Sequence, residues 1–159
     1  LISFHFQQAA VVKMSLIPIF YSVAMAVSGM GSLVFGRLFD RFGFSVLIPL
    51  TLLSSCFAPL VFLGGFWTAL VGAALWGLGM GVQESIIPAA VATMVPAERR
   101  PSAYGLFTGA YGVSWFLGSA IMGILYDHSI SAAIAFCVIA ELAAIPLLIN
   151  VRKRMTFPV

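Results

Sequence analysis

Gly36-Arg37-Leu38-Phe39-Asp40-Arg41-Phe42-Gly43 stands between two long apolar runs and carries three ionised side chains where the flanking sequence has almost none. A chain this apolar places charge where water reaches it. The stretch therefore marks a tight loop at a membrane surface, joining two segments immersed in lipid. Arg37 and Arg41 fall at the end of the preceding helix, where positive charge meets the negative end of the helix dipole. Gly36 and Gly43 permit close backbone approach and a sharp exit. Asp40 is free to face the N-terminus of another helix, where a carboxylate is favoured.

Composition supports the lipid setting. The 159 residues are 62% hydrophobic and 8% charged, with mean hydropathy +1.10. A soluble domain carries roughly a quarter charged residues, so this chain has too few to cover a water-facing surface. The formal net charge is +3. The basic residues gather at segment ends rather than along one face, which argues against a nucleic-acid partner. Cys56 and Cys137 lie inside apolar runs and read as small buried hydrophobes, neither a disulfide nor a metal pair.

Five runs have the roughly 20 apolar residues that a bilayer crossing needs: about 14–36, 45–64, 66–95, 101–126 and 129–150. Period-2 alternation is absent, so helices rather than a barrel are expected, each satisfying its own backbone in lipid. The run 66–95 is long enough to tilt, or to bend at Pro88. Residues 1–8 read as the end of a truncated transmembrane helix whose front is missing, and 151–159 as a C-terminal tail. With five crossings, Arg37, Arg41, Arg99, Arg100, Arg152, Lys153 and Arg154 fall on one side and Lys13 alone on the other. The positive-inside rule then puts the 37–43 segment, the 96–100 loop and the C-terminus in the cytoplasm.

At this point the residues carry a resemblance. Gly36-x-Leu38-x-Asp40-Arg41-x-Gly43 resembles the signature of the major facilitator superfamily, found in the cytoplasmic loop between the second and third helices of each six-helix half. Leu75-Trp76-Gly77-Leu78-Gly79-Met80-Gly81-Val82-Gln83-Glu84-Ser85 and Ala103-Tyr104-Gly105-Leu106-Phe107-Thr108-Gly109 are further matches, as is Gly118 through Tyr126-Asp127. The likeness covers essentially the whole chain. It implies an all-α polytopic membrane bundle, the C-terminal six-helix half with its first helix truncated, in a bacterial inner membrane. It also implies a small-molecule substrate, the bilayer and a missing N-terminal six-helix half as partners, and no cofactor. The family's fullest motif continues with basic residues after its last glycine, whereas Gly43 is followed by Phe44-Ser45-Val46, a weaker form common in second halves. In the family the acidic residue, here Asp40, docks on a helix of the opposite half. Gly36, Arg37, Asp40, Arg41 and Gly43 would thus form a conformational latch, or else a plain topogenic charge cluster.

Glu84 is the sharpest pathway candidate. It lies near the middle of its span, where a charged side chain costs at least ~2.5–3.5 kcal/mol on insertion scales. Such a residue faces a cavity or a partner, and a carboxyl that gains and loses a proton there can couple proton movement to transport. The alternative is a neutral acid tying helices together. Gln83 adjoins it on the same helix. His5, a residue type that ordinarily titrates near neutral pH, is a proton or substrate contact or a benign interface residue. Glu141, in the last span, could pair with a polar group elsewhere and reads as structural or interfacial. Gly77, Gly79 and Gly81, with Gly105, Gly109 and Gly112, let helix backbones approach closely and form packing surfaces or hinges.

No paired nucleophile and base, no metal-ligand spacing and no phosphate loop is present, which argues against an enzyme. The competing readings are a secondary transporter half moving a small solute by alternating access, with proton coupling through Glu84, and a non-transporting scaffold or accessory half-transporter subunit.

Overall fold

The computed structural model describes residues 1–9 and 11–154, apart from the side chains of Ile87, Thr93 and Arg154. The last five residues of the expected tail, 155–159, lie outside the described residues. Seven helices follow one another: α1 (Ile2–Gln8), α2 (Ile17–Phe42), α3 (Leu47–Ser54), α4 (Phe57–Leu63), α5 (Phe66–Met94), α6 (Arg100–His128) and α7 (Ile130–Arg154). No strand occurs among the described residues. The architecture is an all-α bundle of apolar helices, and four stretches are long and apolar enough to cross a membrane: Met14–Leu63, Phe66–Ala92, Ala97–His128 and Ile130–Lys153.

Two buried clusters mark the ends of the bundle. Phe6, Phe20, Phe62, Ala69, Tyr126 and Ile134 meet in one. They come from α1, the start of α2, the end of α4, the start of α5, the end of α6 and the start of α7. Phe39, Phe44, Leu50, Val82, Ile86 and Ala90 meet in the other, with Leu148 packed against them. The chain thus runs up and down between the two ends: along α2, back along α3 and α4, then along α5, α6 and α7 in alternation.

The stretch 36–43 is helical up to Phe42, where a loop was expected. Phe39 explains this, since its ring is buried against Phe44 in a T-shaped contact at 5.4 Å, and only continued helix carries it there. Reversal is concentrated at Gly43, whose φ of 57° and ψ of −145° lie where a side chain is strained. A 3₁₀ turn, Gly43–Val46, then leads into α3. Beside this corner lies an apolar groove lined by Phe35, Leu38, Phe42, Pro49 and Leu53.

The second expected span, 45–64, is broken into α3 and α4. Pro59 stands in the first turn of α4 and has no N–H for the Ser55 carbonyl that a continuous helix would use. The Ser55 hydroxyl donates to the Leu52 carbonyl at 2.8 Å, offering the backbone a local alternative, and Ser54 Oγ stands 3.3 Å from the Thr51 carbonyl. The last helix runs on to Arg154, past the expected end at 150.

Candidate functional site

The most extensive helix pair is α2 with α5, and its chemistry is that of small residues. Ala69, Ala73, Gly77, Gly81 and Ser85 recur every fourth position and share one face of α5. That face lies on Ala24, Ser28 and Ser32 of α2. A side chain at Gly77 would run into the backbone of Ala24, and one at Gly81 into that of Ser28. Ser32 Oγ stands 2.9 Å from the carbonyl oxygens of both Ser28 and Gly81. Ser85 Oγ donates to the same Gly81 carbonyl at 2.7 Å. Without water or lipid headgroups to compete, close backbone approach and such bonds are what hold membrane helices together.

This contact fixes the rotation of α5 about its axis. With Gly81 and Ser85 turned to α2, Gln83 points to the opposite side and Glu84 to the flank, and both are exposed. On that side stands α6. The Tyr111 hydroxyl donates to Gln83 Oε1 at 3.1 Å, and the Tyr104 hydroxyl donates to the Pro88 carbonyl at 3.1 Å. The two bonds pair α5 and α6 in antiparallel sense. Glu84 follows directly on Gln83, the residue that accepts from the Tyr111 hydroxyl. Pro88 has no N–H to return to the Glu84 carbonyl, so that carbonyl lacks its usual helical donor at the same level. Gln83, Glu84, Tyr111 and this carbonyl form a polar patch on an otherwise apolar face.

Other expected site residues are elsewhere. His5 is buried at the far end of the bundle, where Nδ1 lies 2.8 Å from the Tyr126 hydroxyl and the ring meets Phe62 edge-on at 4.9 Å. It is well separated in the fold from the Glu84 patch, so the three pathway candidates are not brought together. Asp40 is exposed, and among the described residues it has no hydrogen-bond or ionic partner. Arg37 turns back to donate to the Leu33 carbonyl at 3.1 Å, and the Arg41 guanidinium lies over the Phe42 ring at 5.4 Å.

The glycines divide. Gly77 and Gly81 lie against α2, and a Cβ at Gly79 would stand 3.4 Å from Ser54. A Cβ at Gly36, Gly105, Gly109 or Gly112 would meet nothing within 4 Å among the described residues.

Sequence reasoning missed Tyr104 and Tyr111, although their helical spacing with Phe107 and Trp115 was a readable signal. It also missed the partner of Glu141. Ser54 Oγ donates to Glu141 Oε2 at 2.8 Å, at the break between α3 and α4. Among the described residues no group of His, Cys, Asp or Glu is arranged to hold a metal ion.

Comparison with known proteins agrees with the fold. The family model described as Major Facilitator Superfamily matches residues 3–156. An uncharacterized protein of Mycobacterium tuberculosis is 33% identical over 158 residues, covering 99% of this chain and 39% of the relative. An uncharacterized protein of Mycobacterium bovis matches to the same extent. The class H tetracycline resistance protein of Pasteurella multocida is 26% identical over 127 residues, which is 76% of this chain and 32% of that protein. The chain thus spans 39% or less of the length of these curated relatives. No solved structure matches.

Proposed function

The chain belongs to the major facilitator superfamily, and from that premise we propose that it is the C-terminal half of an alternating-access secondary transporter whose solute pathway runs along the α5–α6 face. The observation that carries this reading is Glu84. It is an exposed acid in the middle of a long apolar helix, beside the Gln83–Tyr111 hydrogen bond. In lipid that placement costs ~2.5–3.5 kcal/mol or more. The acid therefore faces water in a central cavity, formed when an N-terminal six-helix half closes over α5 and α6. The carboxyl is the proton-carrying group of the cycle.

The rest of the chain takes roles consistent with this. The α2–α5 contact is a rigid body that moves as one piece when the halves rock. Asp40, with Gly36, Arg37, Arg41 and Gly43 around it, is the latch that holds one conformation by docking on a helix of the other half. The exposed glycines of α6 lie where that half would approach. The basic segment ends support a cytoplasmic C-terminus in a bacterial inner membrane.

The experiment is uptake by the complete protein in proteoliposomes under an imposed pH gradient. The first solute panel is drug-like organic molecules, tetracycline among them, after the name of the Pasteurella relative. Solute flux that follows the gradient and disappears in Glu84→Gln is expected. Absence of flux across the panel, with the protein correctly inserted, favours the scaffold or accessory reading instead.

A further inference from the structure

Three aromatic side chains stand one turn apart along α6: Phe107, Tyr111 and Trp115. The spacing puts them on one helix face. The rings of Phe107 and Tyr111 stack with centroids 6.1 Å apart and planes 24° from parallel. Tyr111 and Trp115 meet edge to face at 5.5 Å and 71°. Tyr111 is half-buried, held by Gln83, while Trp115 is 47% exposed. The result is a ladder of π-faces rising beside the Glu84 carboxyl.

The electrostatics of this ladder are one-signed. Each aromatic face presents the negative lobe of its quadrupole, and a cation within about 6 Å of a ring centroid is attracted to it. Glu84 adds a full negative charge, and the Gln83 amide oxygen and the Glu84 carbonyl add acceptors. No Lys or Arg occurs from Phe66 to Met94 or from Pro101 to His128; the one Arg of the two helices, Arg100, opens α6 and donates to the Val95 carbonyl at 3.3 Å, away from the level of Glu84. A neutral sugar would need several donors and acceptors, and an anionic solute would need a basic residue. The patch has no basic residue and is dominated by acceptors, a carboxylate with amide and backbone carbonyl oxygens, beside a stack of aromatic rings.

We propose that the Phe107–Tyr111–Trp115 ladder and Glu84 form the binding site for an organic cation with a bulky apolar or aromatic body. The cationic centre sits at Glu84 and the rings of α6 cover the apolar body. This rests on the pathway reading of the α5–α6 face and adds the chemical class of the solute to it.

The test is equilibrium binding of radiolabelled tetraphenylphosphonium to the complete purified protein in detergent, with tetraphenylborate as an anion of the same shape. Saturable binding of the phosphonium and none of the borate is expected. Glu84→Gln should weaken phosphonium binding about tenfold or more, and Trp115→Ala severalfold, with Trp115→Phe recovering most of the loss because a π-face remains. Leu106→Ala, at an exposed position off the ladder, should bind as the parent does. Each variant is checked for a monodisperse elution profile and parental helicity, and the Trp115→Phe comparison stands even if Glu84→Gln does not fold. Equal binding of both ions, or phosphonium binding indifferent to Glu84 and Trp115, overturns the proposal. So does an absence of phosphonium binding, as when a basic residue of the other half already occupies Glu84. If a panel solute is nonetheless transported in a Glu84-dependent way, only the cation class is lost. If nothing is transported, the pathway reading fails with it.

Discussion

The Ser54 hydroxyl donates to Glu141 Oε2 at 2.8 Å, fastening the C-terminal end of α3 to the middle of α7. The bond falls where the chain has just lost helical continuity at the α3–α4 break. It gives an intramembrane acid a partner on another helix, and it holds the break against α7. Interhelical hydrogen bonds in membrane proteins average about 0.6 kcal/mol and reach about 1.7. Ser54→Ala should therefore lower the thermal midpoint of the protein in detergent by an amount within that range of free energy. Glu141→Gln keeps an acceptor and should match the parent in both stability and transport. Loss of transport in Glu141→Gln, with stability intact, would move Glu141 from a structural role into the cycle.

The two glycines that bracket the charged motif should respond in opposite ways. Gly43 has a positive φ, and an alanine there is strained by about 1–3 kcal/mol. Gly36 is inside α2 with open space beside it, so alanine there should stabilise the helix by roughly 0.5–1 kcal/mol. Thermal melts of Gly43→Ala and Gly36→Ala in detergent check this. A Gly43→Ala protein as stable as the parent would remove the left-handed corner.

The glycines within the spans divide just as cleanly. Overpacking a filled interface costs typically 1–3 kcal/mol. Gly77→Val and Gly81→Val should accordingly reduce the yield of folded protein, because α2 backbone stands where the new side chain would go. Gly105→Ala, Gly109→Ala and Gly112→Ala meet no described atom and should insert normally. If these α6 variants nonetheless slow transport, the loss reports contact with the other half.

Asp40→Asn tests the latch. The side chain is exposed here, so folding should not depend on it. Transport should slow while expression and melting stay at parental values. Parental transport rates in Asp40→Asn would leave the motif as a topogenic charge cluster.

Much of the fold was legible because lipid simplifies the code. Runs of apolar residues, the absence of interior basic residues and the reversal at Gly43 follow from what a bilayer tolerates. The helical course of Arg37 to Phe42 was legible only in part: Arg37 and Arg41 read as a helix end, but the charges also marked a loop until Phe39 is seen to be buried. The break near Ser54 was hidden in an unbroken apolar run. Its causes, Pro59 and the hydroxyl of Ser55, were visible, but how they combine depends on tertiary packing. At the candidate site, Glu84 stood out by its cost in lipid, as intramembrane acids do. Tyr111 did not, because an aromatic residue in an apolar helix is unremarkable until a polar partner on the neighbouring helix comes to face it.

The central claim is that the face bearing Gln83 and Tyr111 lines a pathway open to each side of the membrane in turn. The most direct measurement is alkylation of single cysteines by a membrane-impermeant maleimide in right-side-out and inside-out vesicles. Cys56 and Cys137 are first replaced by serine and alanine, and the probes are Gln83→Cys and Tyr111→Cys. Both probes should label from both sides, and Ile139→Cys, an exposed position on α7, should label from neither. Labelling of the two probes from one side only, or from neither, would contradict alternating access at this face.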